Sequence, residues 1–385
     1  MFHYPKPSRA TNKGPLTSIV LEGLYNLPTP ASLSWFWNFG SCLGLLHAIQ
    51  ILTGLFLVMH YSADVSLAFD SISHISRDVW YGWALRSVHA SGASFFFFSI
   101  YTHIGRGIYY GGYLNLGLWS VGFVILVVLM AISFLGYVLP WGQISFWGAT
   151  VITNLLSSLP YFGTDLVHWV WGGFSVADAS LKRFLALHFV LPLLLIALVG
   201  LHLLLLHTKS RRSPLGIGSE SDYIPFHSLY TIKDVHGFIL LLSLLVFTVC
   251  FFPSIFSEPD NYIPANPIST PAHIIPEWYF LYAYAILRTI SSKLGGVIVM
   301  FSRLLILLSL YFTHHQKIVR LAYYGPVKAF FWCFVGCFVA LIWLGSCPVV
   351  NPFIFLRRAF SLYYFIFFVL LPVSRLAWDK ILRLC

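Results

Sequence analysis

The sequence predicts an all-α polytopic membrane protein of eight transmembrane helices, four forming an N-terminal bundle and four following it. Three observations predict this. Hydrophobic residues make up 58% of the 385 and charged residues 9%, against about a quarter charged in a soluble domain. No Asp, Glu, Lys or Arg occurs between Glu22 and Asp64, Arg106 and Asp165, Arg183 and Lys209, Asp234 and Glu258, or Lys328 and Arg357. The apolar runs also have helical length. About 20 residues at ~1.5 Å each cross a hydrocarbon core, and a helix satisfies its own backbone hydrogen bonds there.

In chain order, the spans are expected over Trp35–His60, Arg86–Tyr109, Leu118–Leu139, Leu181–His207, His236–Phe252, Leu294–His315, Lys328–Ser346 and Phe353–Trp378. The sixth carries an internal charge, Arg303. Two connections are long. Pro140–Asp178 is rich in Trp and Gly and nearly uncharged, and Glu258–Lys293 holds Pro259, Pro264, Pro267, Pro271 and Pro276. Apolar loops of this length at a membrane surface usually fold over a site. The expected division is an N-terminal segment over 1–34, a four-helix bundle with its surface loop over 35–235, and a second four-helix region with its loop over 236–385.

The net charge of +10 reads as topology, not as nucleic-acid binding. Eight spans put both termini on one side. That side takes 14 Lys and Arg against 5 acids, and the opposite side 9 against 8. An excess of basic loops marks the cytoplasmic or matrix face. The cysteines Cys42, Cys250, Cys333, Cys337, Cys347 and Cys385 include no C-x-x-C pair and read as small core residues. The N-terminal MFHYPKPSRATNKGP has neither an apolar signal region nor an Arg-rich presequence. Insertion is expected to rely on the first span, as in a protein made beside its membrane.

Histidines carry the chemistry. His89 and His103 are 14 residues apart in the second span, and His188 and His202 are 14 apart in the fourth. At ~100° per residue each pair lies on one helix face, its members ~21 Å apart along the axis. Facing helices then offer two opposed imidazole pairs, one near each membrane surface, an arrangement suited to two b-type haems. Gly40 and Gly54 in the first span, and Gly122 and Gly136 in the third, repeat the interval. A glycine at each level leaves room for a flat macrocycle. Zinc is a poor alternative, since no cysteine or acid stands nearby to complete a tetrahedral site. A lone membrane histidine is often a hydrogen-bonding core residue, and His47 and His60 are candidates for that role. Arg86, one turn before His89, and Arg106, just after His103, are placed to meet haem carboxylates; ordinary helix-end arginines are the alternative.

Long stretches then resemble a known family. WNFGSCLG, QILTGLFL, RSVHASGASFFF, HIGRGIYYGGY, GYVLPWGQISFWGATVITNLLSSLPYFGTDLV, LKRFLALHFVLP and PEWYFLYAYAILRTISSKLGG resemble cytochrome b of respiratory quinol–cytochrome c reductases. The resemblance runs from about Pro28 to the C-terminus. With the second half in the same chain, it is nearer the mitochondrial and bacterial form than the split plastid form. It implies a low-potential haem on His89 and His188 and a high-potential haem on His103 and His202. It implies a quinol-oxidation site at Trp147, Gly148, Phe134, Glu277 and Tyr284. It implies a quinone-reduction site at His207 and Asp234, with Asn38, Ser41 and Lys233 in support. The residues agree in part. Glu277 is an acid in an aromatic, Pro-bounded loop, where poor solvation favours its protonated form; capping the loop helix after Pro276 is the alternative. Gly148 allows a flat ring to approach, or is simply a packing glycine.

The family reading also implies ubiquinone and ubiquinol as substrates and a mitochondrial inner membrane with both termini in the matrix. It implies a Rieske iron–sulfur protein, a membrane-anchored c-type cytochrome and other complex III subunits as partners, a homodimeric complex, and lipids including cardiolipin. The chain has no C-x-x-C-H and no cysteine cluster, so iron–sulfur and c-type centres would have to come from such partners. Three departures stand out. Arg211 occurs where a serine is usual after His207, His168 where an acid is usual before WVWGG, and Arg303 lies within a span. Three other classes are compatible with the sequence: the diheme subunit of another quinone-linked oxidoreductase, a transporter or proton channel using membrane histidines, and a structural membrane subunit. The PEWY loop, the absence of a clear repeat between halves, and the shared glycine–histidine spacing weigh against them in turn.

Overall fold

The structure, a computed structural model, describes residues 25–208, 214, 222–314 and 320–382. The expected N-terminal segment up to residue 24 and the Arg211 departure lie outside the described residues. The described residues are mostly helical: α1 Asn38–Val58, α2 Ala68–Arg77, α3 Gly82–Tyr109, α4 Leu116–Val138, α5 Gln143–Asn154, α6 Gly163–Trp171, α7 Asp178–Thr208, α8 Leu229–Phe251, α9 Trp278–Leu287, α10 Lys293–Phe312, α11 Gly325–Ser346 and α12 Phe353–Ile381. A two-stranded antiparallel ribbon sets β1 (Pro28–Pro30) against β2 (Tyr223–Pro225), with Thr29 opposite Ile224.

Among the described residues, seven helices are long and apolar enough to cross a membrane: α1 with its leading turn from Trp35, then α4, α7, α8, α10, α11 and α12. The remaining expected span is α3. At 28 residues it is long enough, and Arg86, Arg106 and its serines and histidines dilute its hydropathy. Its buried face includes Ser91, Gly92, Ser94 and Ser99, small residues that let neighbouring helices approach. Boundaries shift by a few residues elsewhere. The largest change is in α8, which begins at Leu229, not at His236. Asp234 therefore lies inside the helix instead of opening it, because TIKD continues a turn that the charge pattern alone marks as loop.

The helices pair antiparallel. Gly40 and Gly54 of α1 stand against His103 and His89 of α3, and Gly122 and Gly136 of α4 against His202 and His188 of α7. The long connections are not open loops. They form α5, α6 and α9, and they lock together: Gln143 N–H donates to Ile263 O (2.9 Å) and Ala265 N–H to Trp141 O (3.0 Å). Gln143 Nε2 donates to Ser269 O (3.0 Å) and its Oε1 accepts from Asn266 N–H (2.8 Å). Ser145 gives both its N–H and its hydroxyl to Asn261 Oδ1, at 2.9 and 2.8 Å.

The second half packs through aromatics, such as Phe334 stacked on Phe367 at 4.1 Å. The same core explains Arg303. Its side chain is buried, Nη1 donates to Tyr282 Oη at 2.6 Å, and its guanidinium lies 4.6 Å from that ring centre. A desolvated cation over an aromatic face gains about 2 kcal/mol, which offsets part of the burial of charge. Arg303 thus ties α10 to α9. His168 sits edge-on to Phe174 at 5.0 Å; the fold offers no further reason for that departure.

Candidate functional site

Each imidazole pair is built by one helix from each antiparallel couple. The His89 and His188 ring centres are 6.2 Å apart with planes at 84°, and those of His103 and His202 are 6.4 Å apart at 52°. Stacked rings would lie closer. A nitrogen–metal bond of about 2 Å, plus ~1.1 Å from nitrogen to ring centre, taken on both sides, separates the centroids by about 6.2 Å. Both pairs therefore have the spacing of two imidazoles on one metal atom.

Hydrogen bonds orient the first pair. His188 Nδ1 donates to Ile132 O at 2.8 Å. His89 Nδ1 lies 2.8 Å from Thr53 Oγ1, whose own proton goes to Ile49 O at 2.7 Å. Both rings thus carry hydrogen on Nδ1 and keep the Nε2 lone pair for a ligand, the usual outer support of a metal-bound histidine. The glycines explain themselves at the same level. A Cβ on Gly136 would lie 2.3 Å from His188 Cε1, and those on Gly54, Gly122 and Gly40 would lie 3.2, 3.2 and 3.4 Å from the facing imidazoles. Among the protein atoms, the nearest neighbour of each such Cβ is the facing histidine ring. Among the described residues no group of three or more His, Cys, Asp or Glu converges on a metal position. The residues present thus fit a prosthetic group that each pair of imidazoles would hold, and the described residues do not converge as a three-ligand metal site.

A cavity of about 320 Å³ runs from this pair toward the outer loops, and its lining includes His89, His188, Arg86, Tyr137, Glu277 and Tyr279. Glu277 precedes α9 and makes no capping hydrogen bond with its side chain, so the capping alternative is not the arrangement found. Burial, then the neighbouring Glu258 carboxylate, pushes its carboxyl up to about 8. Glu258 is itself raised, by burial and by Asp260. Tyr279 stacks on Phe97 at 4.0 Å and shares a 2.8 Å hydrogen bond with Ser133. Arg86 lies near Ser76 Oγ (3.5 Å) and over Tyr262 (5.9 Å).

The other residues expected beside Glu277 do not line this cavity. Phe134 meets Phe184 at 6.1 Å, and Trp147 Nε1 donates to Asn266 O at 3.3 Å. Gly148 faces open space, and Tyr284 carries the Arg288 guanidinium at 4.7 Å. Three residues of the site escaped the sequence reading. Thr53 orients His89, Gln50 Nε2 donates to His89 O at 3.0 Å, and the buried Tyr137 hydroxyl has no hydrogen-bond partner among the described residues. Polar side chains within an apolar span, close before Gly54, were the available signal for the first two.

At the other end, one turn from Gly40, four predicted residues meet. Ser41 Oγ lies 2.8 Å from Asp234 Oδ1, and Asn38 Nδ2 donates to Lys233 O at 2.6 Å. Lys233 Nζ donates to Leu33 O at 2.5 Å and lies over Trp35 at 5.1 Å. His207 is near the exposed end of α7, five residues beyond His202. Arg106 sets Nη2 at 3.2 Å from His103 Nδ1 and lies over Trp37 at 5.2 Å.

Residues 24–210 match the family described as cytochrome b/b6/petB, and residues 264–365 match the C-terminal family described as cytochrome b/b6/petD. The chain is also similar to a chain in a solved structure of a hyperthermophilic respiratory Complex III. Identity is 33%, coverage 96% of this chain and 98% of that one, and the TM-score 0.90.

Proposed function

The chain belongs to the cytochrome b/b6 family, and on that premise we propose that it is the diheme electron-transfer subunit of a ubiquinol–cytochrome c reductase, a respiratory complex III. The observation that carries this reading is the pair of imidazole couples, at 6.2 and 6.4 Å between ring centres. His89 with His188 would hold one haem and His103 with His202 the other. When bound, these groups supply one-electron carriers at two depths of a membrane that otherwise excludes charge.

The chain's own residues do the rest. Glu277, which lines the cavity shared with the first pair, accepts a proton from quinol bound near the locked outer loops, where Phe134, Trp147, Gly148 and Tyr284, outside that cavity, shape the approach. Arg86 and Arg106 supply cationic partners to haem carboxylates. Asp234, held by Ser41 beside Asn38 and Lys233, gives protons to quinone at the opposite face together with His207. Moving one charge against 100 mV requires about 2.3 kcal/mol, so the driving force comes from the second electron, which passes to partner subunits. Those partners are a Rieske iron–sulfur protein and a membrane-anchored c-type cytochrome within a dimeric complex. The excess of basic loops supports termini on the matrix side of a mitochondrial inner membrane.

A reduced-minus-oxidised spectrum of the purified complex, with redox titration, tests the reading. Two b-type components of different midpoint are expected. Absence of b-type bands would overturn it.

A further inference from the structure

The 14-residue lattice has a middle layer. Seven residues from each of Gly40 and Gly54 stands His47; the corresponding midpoints on α3, α4 and α7 are Phe96, Leu129 and Leu195. All four side chains are buried. Three are apolar, as a layer between two hydrophobic sites calls for, and His47 is the polar exception. Its ring meets Phe96 edge-on at 6.3 Å, and Nε2 lies 3.2 Å from Pro192 O. A carbonyl only accepts, so Nε2 carries the hydrogen.

The acceptor's place matters. Pro192 lies within α7, four residues after His188. A proline there has no N–H for the His188 carbonyl, and a helix bends at such a point. The His47 bond therefore crosses from the α1/α3 couple to the α4/α7 couple at the weakened turn that carries His188. His47 also lines the cavity shared by His89 and His188.

We propose that His47 is a positioning residue for the His89–His188 pair, its bond to the Pro192 carbonyl setting the near-perpendicular orientation of the two rings. This rests on the diheme reading above. The orientation of axial imidazoles is visible in the electron paramagnetic resonance of low-spin ferric haem, whose largest g-value falls as perpendicular rings turn toward parallel.

The experiment uses the assembled complex in its own membranes, with His47→Leu and His47→Gln. The unaltered complex must show two b-type signals; if it shows none, the diheme reading fails, not this proposal. In His47→Leu, the signal that His188→Leu abolishes should move to lower g, with a shifted midpoint, while the other stays. His47→Gln, whose amide N–H can reach the same carbonyl, should restore it. Unchanged signals, equal shifts of both, or no recovery with Gln would overturn the proposal. If His47→Leu fails to assemble, His47→Met, which fills the space without a donor, is scored in the same way.

Discussion

Gly136 and His188 touch so closely that a single methyl on the glycine would overlap the imidazole, 2.3 Å from Cε1 and 2.9 Å from Nδ1. Gly136→Ala must therefore displace the ring or separate α4 from α7. Overpacking of this kind costs about 1–3 kcal/mol. The expected result is loss or a marked midpoint shift of the one b-type component that depends on His188, with the other retained, read by redox titration. Gly40→Ala, where the same atom would lie at 3.4 Å, should be far milder.

The second pair is tested by His202→Leu. It should remove one b-type component and leave the other at its original midpoint. Survival of both components would show that His202 is not an axial ligand.

Glu277 titrates from a value pushed up to about 8 by burial and by Glu258. As the proposed base for quinol oxidation it would act as the carboxylate, so kcat/KM should rise with pH through that value. Glu277→Gln should flatten the profile and lower the rate by about 10²-fold. The stability linkage has the opposite sense. Between its ordinary value of 4.5 and about 8, the folded loop keeps a proton that the unfolded chain releases. Stability from this group therefore falls as pH rises through that window, and Glu277→Gln should remove the dependence.

Ser41 Oγ holds Asp234 Oδ1 at 2.8 Å. Asp234→Asn should slow quinone reduction, so that reduced b-type haem accumulates when quinol is supplied. Ser41→Ala should do so more weakly. Rapid-scan absorption checks this, and unchanged re-oxidation in Asp234→Asn would remove the residue from the pathway.

Arg303 and Tyr282 share a buried 2.6 Å hydrogen bond. Arg303→Leu leaves the tyrosine hydroxyl without that partner, and should lower stability by about 1–3 kcal/mol, seen as a lower Tm of the complex. Adding Tyr282→Phe should recover part of the loss, because the two changes couple.

The sequence by itself determined the membrane character, the all-α polytopic fold and the 14-residue spacing shared by the histidines and glycines. Charge-free runs and a 14-residue repeat are local properties, and helix geometry alone converts them into depth and face. Family resemblance named Asn38, Ser41, Lys233 and Asp234 together, and their hydrogen bonds are a matter of tertiary contact. Tertiary structure decided what depends on contacts between distant segments. The family resemblance groups Trp147, Gly148, Phe134 and Tyr284 with Glu277, but they do not line its cavity; the loop around α5 and the loop before α9 lock through Gln143 and Asn261 in a register that no local pattern encodes. The glycines protect imidazoles, since helix couples approach to within a methyl group. Arg303 found a tyrosine, and His47 found the one turn of α7 that proline had loosened. Such pairings join residues tens to hundreds of positions apart, and packing, not periodicity, selects them.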